Sequence, residues 1–407
     1  MIRGAMNSQE FVLLVAIVVI AVLASASNPR YLSERNVLSI LQGNAYIAVA
    51  AIGASMIIIS GNIDISIGAQ IGVFGVITGI VVKELAVAGL PAQLGWLIPV
   101  ALGLLMGLIN GFLVAYLRIP SIVVTLAMAS ILKGGLLWFT RGAEVTNLPA
   151  AFLFSQGKFL GLPNQIPLMI LLVVIVAFWM RFSAPGRSIY AVGGNAEAAR
   201  LSGINYKRTI LLVFLLNGVF VGIATVMYAT QGQIIRSTVP DDVALVAITS
   251  AVVGGVSILG GTGTVVGAML AAILLNEITS ALVFLNISPF WTRALQGILV
   301  LVTVLADIFR RRRTARHAGR GWTWRELHHD HIRFEHQPTR KQGEPLPLAA
   351  LQSGRHPFHH PPGIHRRAVG DFRAIPNRRQ FSQPGPPVGR SWVGRPADDL
   401  HHHHRRH

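Results

Sequence analysis

The chain has 407 residues, no cysteine, 52% hydrophobic and only 13% charged residues, and a formal net charge of +18, with a mean hydropathy of +0.55. The lack of cysteine excludes a disulfide framework, a thiolate nucleophile and a cysteine zinc site. A chain this apolar, with charges crowded towards its ends, excludes an ordinary soluble domain and points to a protein that crosses a membrane many times.

Apolar runs near the length of about 20 residues needed to cross a bilayer are predicted at 11–27, 45–60, 65–82, 96–117, 120–139, 166–181, 209–229, 243–259, 264–285 and 293–309. The expected fold is all-α and polytopic, about ten transmembrane helices with an internal repeat, preceded by residues 1–10 and followed by a disordered tail at 310–407. The first run ends in Ala24, Ser25 and Ala26, which has the form of a signal-peptidase site. The run is long for a signal peptide and its flank is weakly basic, so it is read as an uncleaved span.

The first break in the apolar pattern, SGNIDISIG, holds Asp64 between two runs. A charge at membrane depth costs at least about 2.5 kcal/mol and needs a reason. Ser60, Gly61, Asn62 and Gly68 around it favour a tight turn, with the carboxylate accepting a backbone N–H at Ile65 or Ser66. Beyond it, Gly68/Gly72, Gly75/Gly79, Gly103/Gly107/Gly111, Gly218/Gly222 and Gly263/Gly267 recur every fourth residue, which clears one helix face for close backbone approach.

Residues 185–208 form a basic loop with Arg187, Arg200, Lys207 and Arg208 against Glu197, and the positive-inside bias places it in the cytoplasm. Counting spans from there puts both termini inside and the acidic pair Asp241 and Asp242 outside. One short helix is expected within the loop. Asn195 caps it, Glu197 and Arg200 suit its dipole, and Gly203 suits a left-handed C′ position. So short a helix is not stable alone, so a peripheral partner is expected to hold it. Ala198, Ala199 and Ser202 are small enough to sit in a partner's groove, with Leu201 as an apolar contact and Arg200 as a charged rim.

The second break, Leu259 to Gly263, matches the first in position, and paired interruptions in two halves often border a transport path. Asn62, Asp64 and Ser66 in the first break, Thr125 near the Pro120 break, and Thr262 and Thr264 in the second are the path candidates, supplying hydroxyl and amide groups suited to a sugar. Helix capping is the competing role for each of them. GGTGTVVG at 260–267 lacks the spacing and the βαβ setting of a dinucleotide fingerprint.

From residue 310 the composition changes. The tail carries all 14 histidines and 20 of the 35 Lys and Arg residues, but only 7 of the 17 acids. It has no apolar periodicity. Arg310–Arg313 are read as a topology anchor at the lipid surface rather than a nucleic-acid patch. His328, His329, Asp330 and His331, or His401–His404, lack the ordered surroundings of a specific metal site. The abrupt change in residue usage points to an out-of-frame translation of this segment.

SGNIDISIGA (60–69), NGFLVAYLRIPSIVVTLAM (110–128), GRSIYAVGGNAEAARLSGI (186–204) and GGVSILGGTGTVVGAMLAA (254–272) resemble, in order, the permease subunits of bacterial ABC importers for ribose, xylose, rhamnose and autoinducer-2, within the branched-chain permease superfamily. The resemblance runs from about residue 10 to 310. It implies an inner-membrane importer of two permeases, a pair of cytoplasmic ATPases that use ATP and Mg, and a periplasmic substrate-binding protein. It also implies that residues 193–203 dock on the ATPase, with Gly193 at the start of that segment. The chain itself has no G-x-x-x-x-G-K-[ST] phosphate loop, so no cofactor and no enzymatic step is expected in it. The alternative is an ion-coupled secondary transporter, for which Asp64 and Glu277 are the acidic candidates, though a proton relay is usually richer. A membrane enzyme lacks its HExxH, cysteine or core histidine, and nothing resembles a channel's repeated selectivity filter.

Overall fold

The computed structural model describes residues 9–237, 242–288 and 290–318. The tail from 319 onward, residues 1–8 and Asp241 lie outside the described residues, and with them the expectations of a disordered tail and of histidine clusters there. The helices are α1 (Gln9–Ser27), α2 (Glu34–Gly43), α3 (Ala45–Ile59), α4 (Ile67–Val87), α5 (Leu97–Ala115), α6 (Ser121–Thr140) and α7 (Gln165–Phe182), then α8 (Ala184–Gly194), α9 (Ala196–Leu201), α10 (Tyr206–Ala229), α11 (Asp242–Val253), α12 (Val265–Phe284) and α13 (Trp291–Ala318). Strands are confined, among the described residues, to one antiparallel hairpin, β1 (Lys158–Phe159) with β2 (Leu162–Pro163).

Every predicted span has a helix. Eight stretches are long and apolar enough to cross a membrane, and α11 and the Trp291–Leu305 part of α13 are shorter apolar helices. Three differences have physical causes. The second span gains α2, an amphipathic turn-out that joins α3 at Asn44. The run predicted at 243–259 is helical only to Val253, because Gly254 and Gly255 end it and Gly255 takes a left-handed φ of 93°. The last helix continues past residue 309 to Ala318, into the stretch expected to belong to the tail.

The centre of the bundle is α3, apolar on all sides and buried along almost its whole length, as a helix must be when it has no polar face. It packs on α10, itself buried over much of its length. The most intimate crossing is between α5 and α10, where the fourfold glycine spacing does what it predicts. A Cβ on Gly103 would fall on the Gly218 carbonyl, one on Gly107 on the Phe214 carbonyl, and one on Gly222 on Val100 and the Pro99 carbonyl. Backbone lies on backbone, and dispersion replaces the hydrophobic drive that lipid cannot supply between helices.

The loops gather at two ends. At one end the breaks after α3 and α11 meet α8, with Gly261 N–H donating to the Ile59 carbonyl at 2.8 Å. At the other, Val145 pairs with Ile235, the Ser155 hydroxyl lies 2.6 Å from that of Thr230, and Trp96 Nε1 donates to the Phe152 carbonyl at 2.8 Å. Asp242 at the head of α11 is held there by Arg293 of α13 at 2.5 Å. Substituting Gly107→Val should lower stability by at least about 1–3 kcal/mol, because the branched side chain cannot be accommodated without parting α5 from α10. A lowered thermal midpoint of the detergent-solubilised protein would register it, with Gly134→Val, whose Cβ would meet open space, as the control.

Candidate functional site

The loop between α7 and α10 carries two helices where one was expected. Ser183 begins α8, its hydroxyl accepting from Gly186 N–H at 2.9 Å, and Pro185 occupies the first turn where its missing N–H costs nothing. Those two residues are the sequence signal for this additional helix. α9 follows as predicted: Asn195 Oδ1 accepts from Glu197 N–H at 3.1 Å and from Ala198 N–H at 3.0 Å, and Gly203 adopts the left-handed φ of 84°. Glu197 and Arg200 form an exposed ion pair at 2.6 Å, a contact worth little in water. Ala198, Leu201 and Ser202 are exposed, Leu201 at 78%. Ala199 departs from expectation. Its methyl is buried in the subunit's own core, so the face open to a partner is that of Ala198 and Leu201.

α8 ends on the two breaks. A Cβ on Gly193 would strike the Ile59 carbonyl, and one on Gly261 would strike Gly194. Tyr190 of α8 donates its hydroxyl to the Gly263 carbonyl at 3.0 Å, and burial pushes its phenol above the usual range. The end of the helix that precedes α9 therefore touches both chain breaks with no side chain between. This contact is not legible in the sequence, although each break and each glycine is.

The path candidates fall in three places. Asp64, Ser66 and Thr125 are buried within the subunit. Asp64 Oδ1 accepts from Ser66 N–H at 2.8 Å and from the Ser66 hydroxyl at 2.5 Å, which is the expected turn. Its Oδ2 accepts from Asn217 Nδ2 at 2.8 Å, a partner on α10 that sequence spacing could not supply. Gln70 and Asn110 extend the cluster through Ser66 Oγ at 2.7 and 3.4 Å. The amide nitrogens thus point into a network centred on the Asp64 carboxyl group. Thr125 Oγ1 accepts from Ile65 N–H at 3.1 Å and Ser121 Oγ from Ile63 N–H at 3.2 Å, which pins the extended break to α6.

Thr262 and Thr264 lie elsewhere, exposed beside α8. Thr264 caps α12 by accepting from Gly267 N–H at 3.1 Å and donates to Glu10 at 2.7 Å. Asn62 lines an open cleft of about 670 Å³ between α9 and the α5–α6 turn, with Ser121, Arg118, Arg200 and Lys207. Lys207 stacks its ammonium over the Tyr116 ring at 5.4 Å. Among the described residues no group of three or more His, Cys, Asp or Glu side chains could hold a metal ion.

A bundle of this kind, with broken helices meeting a capped surface helix, has the form of a transport protein, and its likeness to known proteins decides which. The family model described as branched-chain amino acid transport system / permease component matches residues 36–304. The chain belongs to that family. It is the permease component of an ABC importer and a multi-pass membrane protein. It is similar to the autoinducer 2 import system permease protein LsrC of Salmonella paratyphi A, with 33% identity over 308 residues covering 75% of this chain and 88% of that protein. LsrC of Escherichia coli strain K12 / DH10B is 32% identical over 308 residues, covering 75% of this chain and 89% of its own length. In this permease the Asp64 network should be structural in the first place. Asn217→Leu, which strips the carboxylate of a buried donor, should cost about 1–3 kcal/mol. Thr264→Ala, at an exposed cap, should cost about 1 kcal/mol. Chemical denaturation of the two purified variants would rank them.

Proposed function

We propose that this permease moves a sugar or sugar-like small molecule, of the class that includes ribose, rhamnose and autoinducer-2, into the cell across the bacterial inner membrane. The class follows from the relatives, whose names specify autoinducer 2. Two permease subunits enclose the path, a periplasmic protein delivers the substrate, and two P-loop ATPases in the cytoplasm bind α9, supplying ATP and Mg chemistry that this chain lacks. The coupling-loop end is then cytoplasmic, both termini with it, and the Val145–Ile235 end is periplasmic.

The observation that carries this reading is the position of α9. It is a six-residue helix, capped at both ends, with Leu201 exposed, joined directly to a helix that abuts both chain breaks. A partner that grips α9 and closes on ATP moves α8 as a lever, and α8 can move neither towards Ile59 nor past Gly261 without shifting α3 and the second break. Each nucleotide cycle thereby biases an equilibrium between outward-open and inward-open arrangements.

Leu201→Asp places a charge on the exposed apolar contact without touching the buried Ala199. It should abolish co-purification of the ATPase in mild detergent and reduce uptake by at least about tenfold, with unchanged amounts of protein in the membrane. Undiminished ATPase recovery and uptake would mean that α9 does not dock the ATPase.

A further inference from the structure

The second break is built from soft material. Residues Gly254 to Thr264 separate α11 from α12, and Gly254, Gly255, Gly260, Gly261 and Gly263 are among them. Glycine leaves a backbone freer than any other residue. A push delivered by α8 at Gly261 would be absorbed inside such a loop unless its two ends were tied. Both ties come from the first turn of α1.

Gln9, the first residue of α1, donates from Nε2 to the carbonyl of Val253, the last residue of α11, at 3.2 Å. Its stem covers the start of the loop, since a Cβ on Gly255 would lie 2.8 Å from Gln9 Cγ. Glu10, beside it, accepts the Thr264 hydroxyl at 2.7 Å, and the same hydroxyl oxygen caps α12. Two neighbouring residues of one helical turn thus hold the two ends of one loop. The ends also touch directly, because a Cβ on Gly254 would strike the backbone of Gly267 and Ala268. That contact resists compression, and the hydrogen bonds from α1 resist sliding.

The turn is itself anchored. Leu13, one helical turn beyond Gln9, is buried with Val253, Ala271 and Leu274, and Ala24 is buried with Tyr31 and Ala281. Val12, Val15, Val19 and Val22 are exposed. One stripe of α1 is therefore committed to α12 along the length of both helices, and that stripe begins at Gln9. α1 precedes residues 36–304, the stretch that the family model matches.

We propose that Gln9 and Glu10 are positioning residues for transport, which clamp both ends of the second break to α1. α8 acts on the middle of the loop, through Gly261 and through the Tyr190 bond to the Gly263 carbonyl. With the ends tied, its displacement moves α11 and α12 together instead of deforming the loop between them. The inference rests on the coupling role proposed for α8 and α9 and extends it to the first span.

Gln9→Met keeps the stem over Gly255 and removes the donor. In the purified permease alone it should speed amide hydrogen exchange across residues 254–264 by about fivefold, the size of one net hydrogen bond, with exchange in α5 and α10 unchanged. In the complete importer it should lower the substrate moved per ATP hydrolysed by a similar factor, with bound ATPase unchanged. Gln9→Lys, which again offers a donor to the Val253 carbonyl, should restore most of that loss. Because the chain has no cysteine, the other tie can be removed and rebuilt. Glu10→Cys combined with Thr264→Cys should also lower the ratio, joining the two thiols with a short bifunctional methanethiosulfonate should raise it again, and reduction should undo the repair. A cross-link that stops transport would mean that α1 must part from the break, and would overturn the proposal. Unchanged exchange at 254–264 with Gln9→Met would overturn it too, as would lowered stability with an unchanged transport ratio, the signature of a purely structural role. If the unsubstituted permease retains no ATPase, the docking role of α9 fails, and the exchange measurement still decides whether the clamp exists.

Discussion

The structure depends on one contact, the meeting of the α8 C-terminus with the two chain breaks. Gly261 N–H bonds the Ile59 carbonyl, and Gly193 lies so close to that same carbonyl that no other residue fits. Buried backbone groups cannot be left without hydrogen bonds, so the ends of α3 and α11 need partners where their helices stop. They find them in each other and in α8. The same joint that satisfies the broken backbone also connects those breaks to the surface helix α9.

Around that joint the bundle is built for close approach. Glycine on glycine fixes α5 against α10, which brings Asn110 and Asn217 to the buried Asp64 loop. Burial of a carboxylate is costly without hydrogen bonds to its charged form, and here backbone, hydroxyl and amide donors supply them. The first break is thus stiff on the Asp64 side.

Much of this is legible in residue order. Spans, the α9 cap, Gly203, the Asp64 turn and the glycine faces all follow from local chemistry, because each depends on residues within a few positions of one another. What is not legible depends on distance across the fold. Asn217 is 153 residues from Asp64, and nothing in either segment names the other. Ala199 is small like Ala198, and only the packed core distinguishes the buried methyl from the exposed one. The second break is legible in place but not in length, since the helix before it already ends at Val253.

In the proposed cycle α8 transmits the movement of α9 to the breaks through the Gly193 contact. Its most direct measurement is the number of substrate molecules moved per ATP hydrolysed by the complete importer carrying Gly193→Ala, with bound ATPase quantified in the same preparation. The expected result is a complex that still binds its ATPase and hydrolyses ATP while transport per ATP falls sharply, because the added methyl forces α8 away from Ile59. An unchanged ratio, with the ATPase bound and the substitution verified, would contradict it.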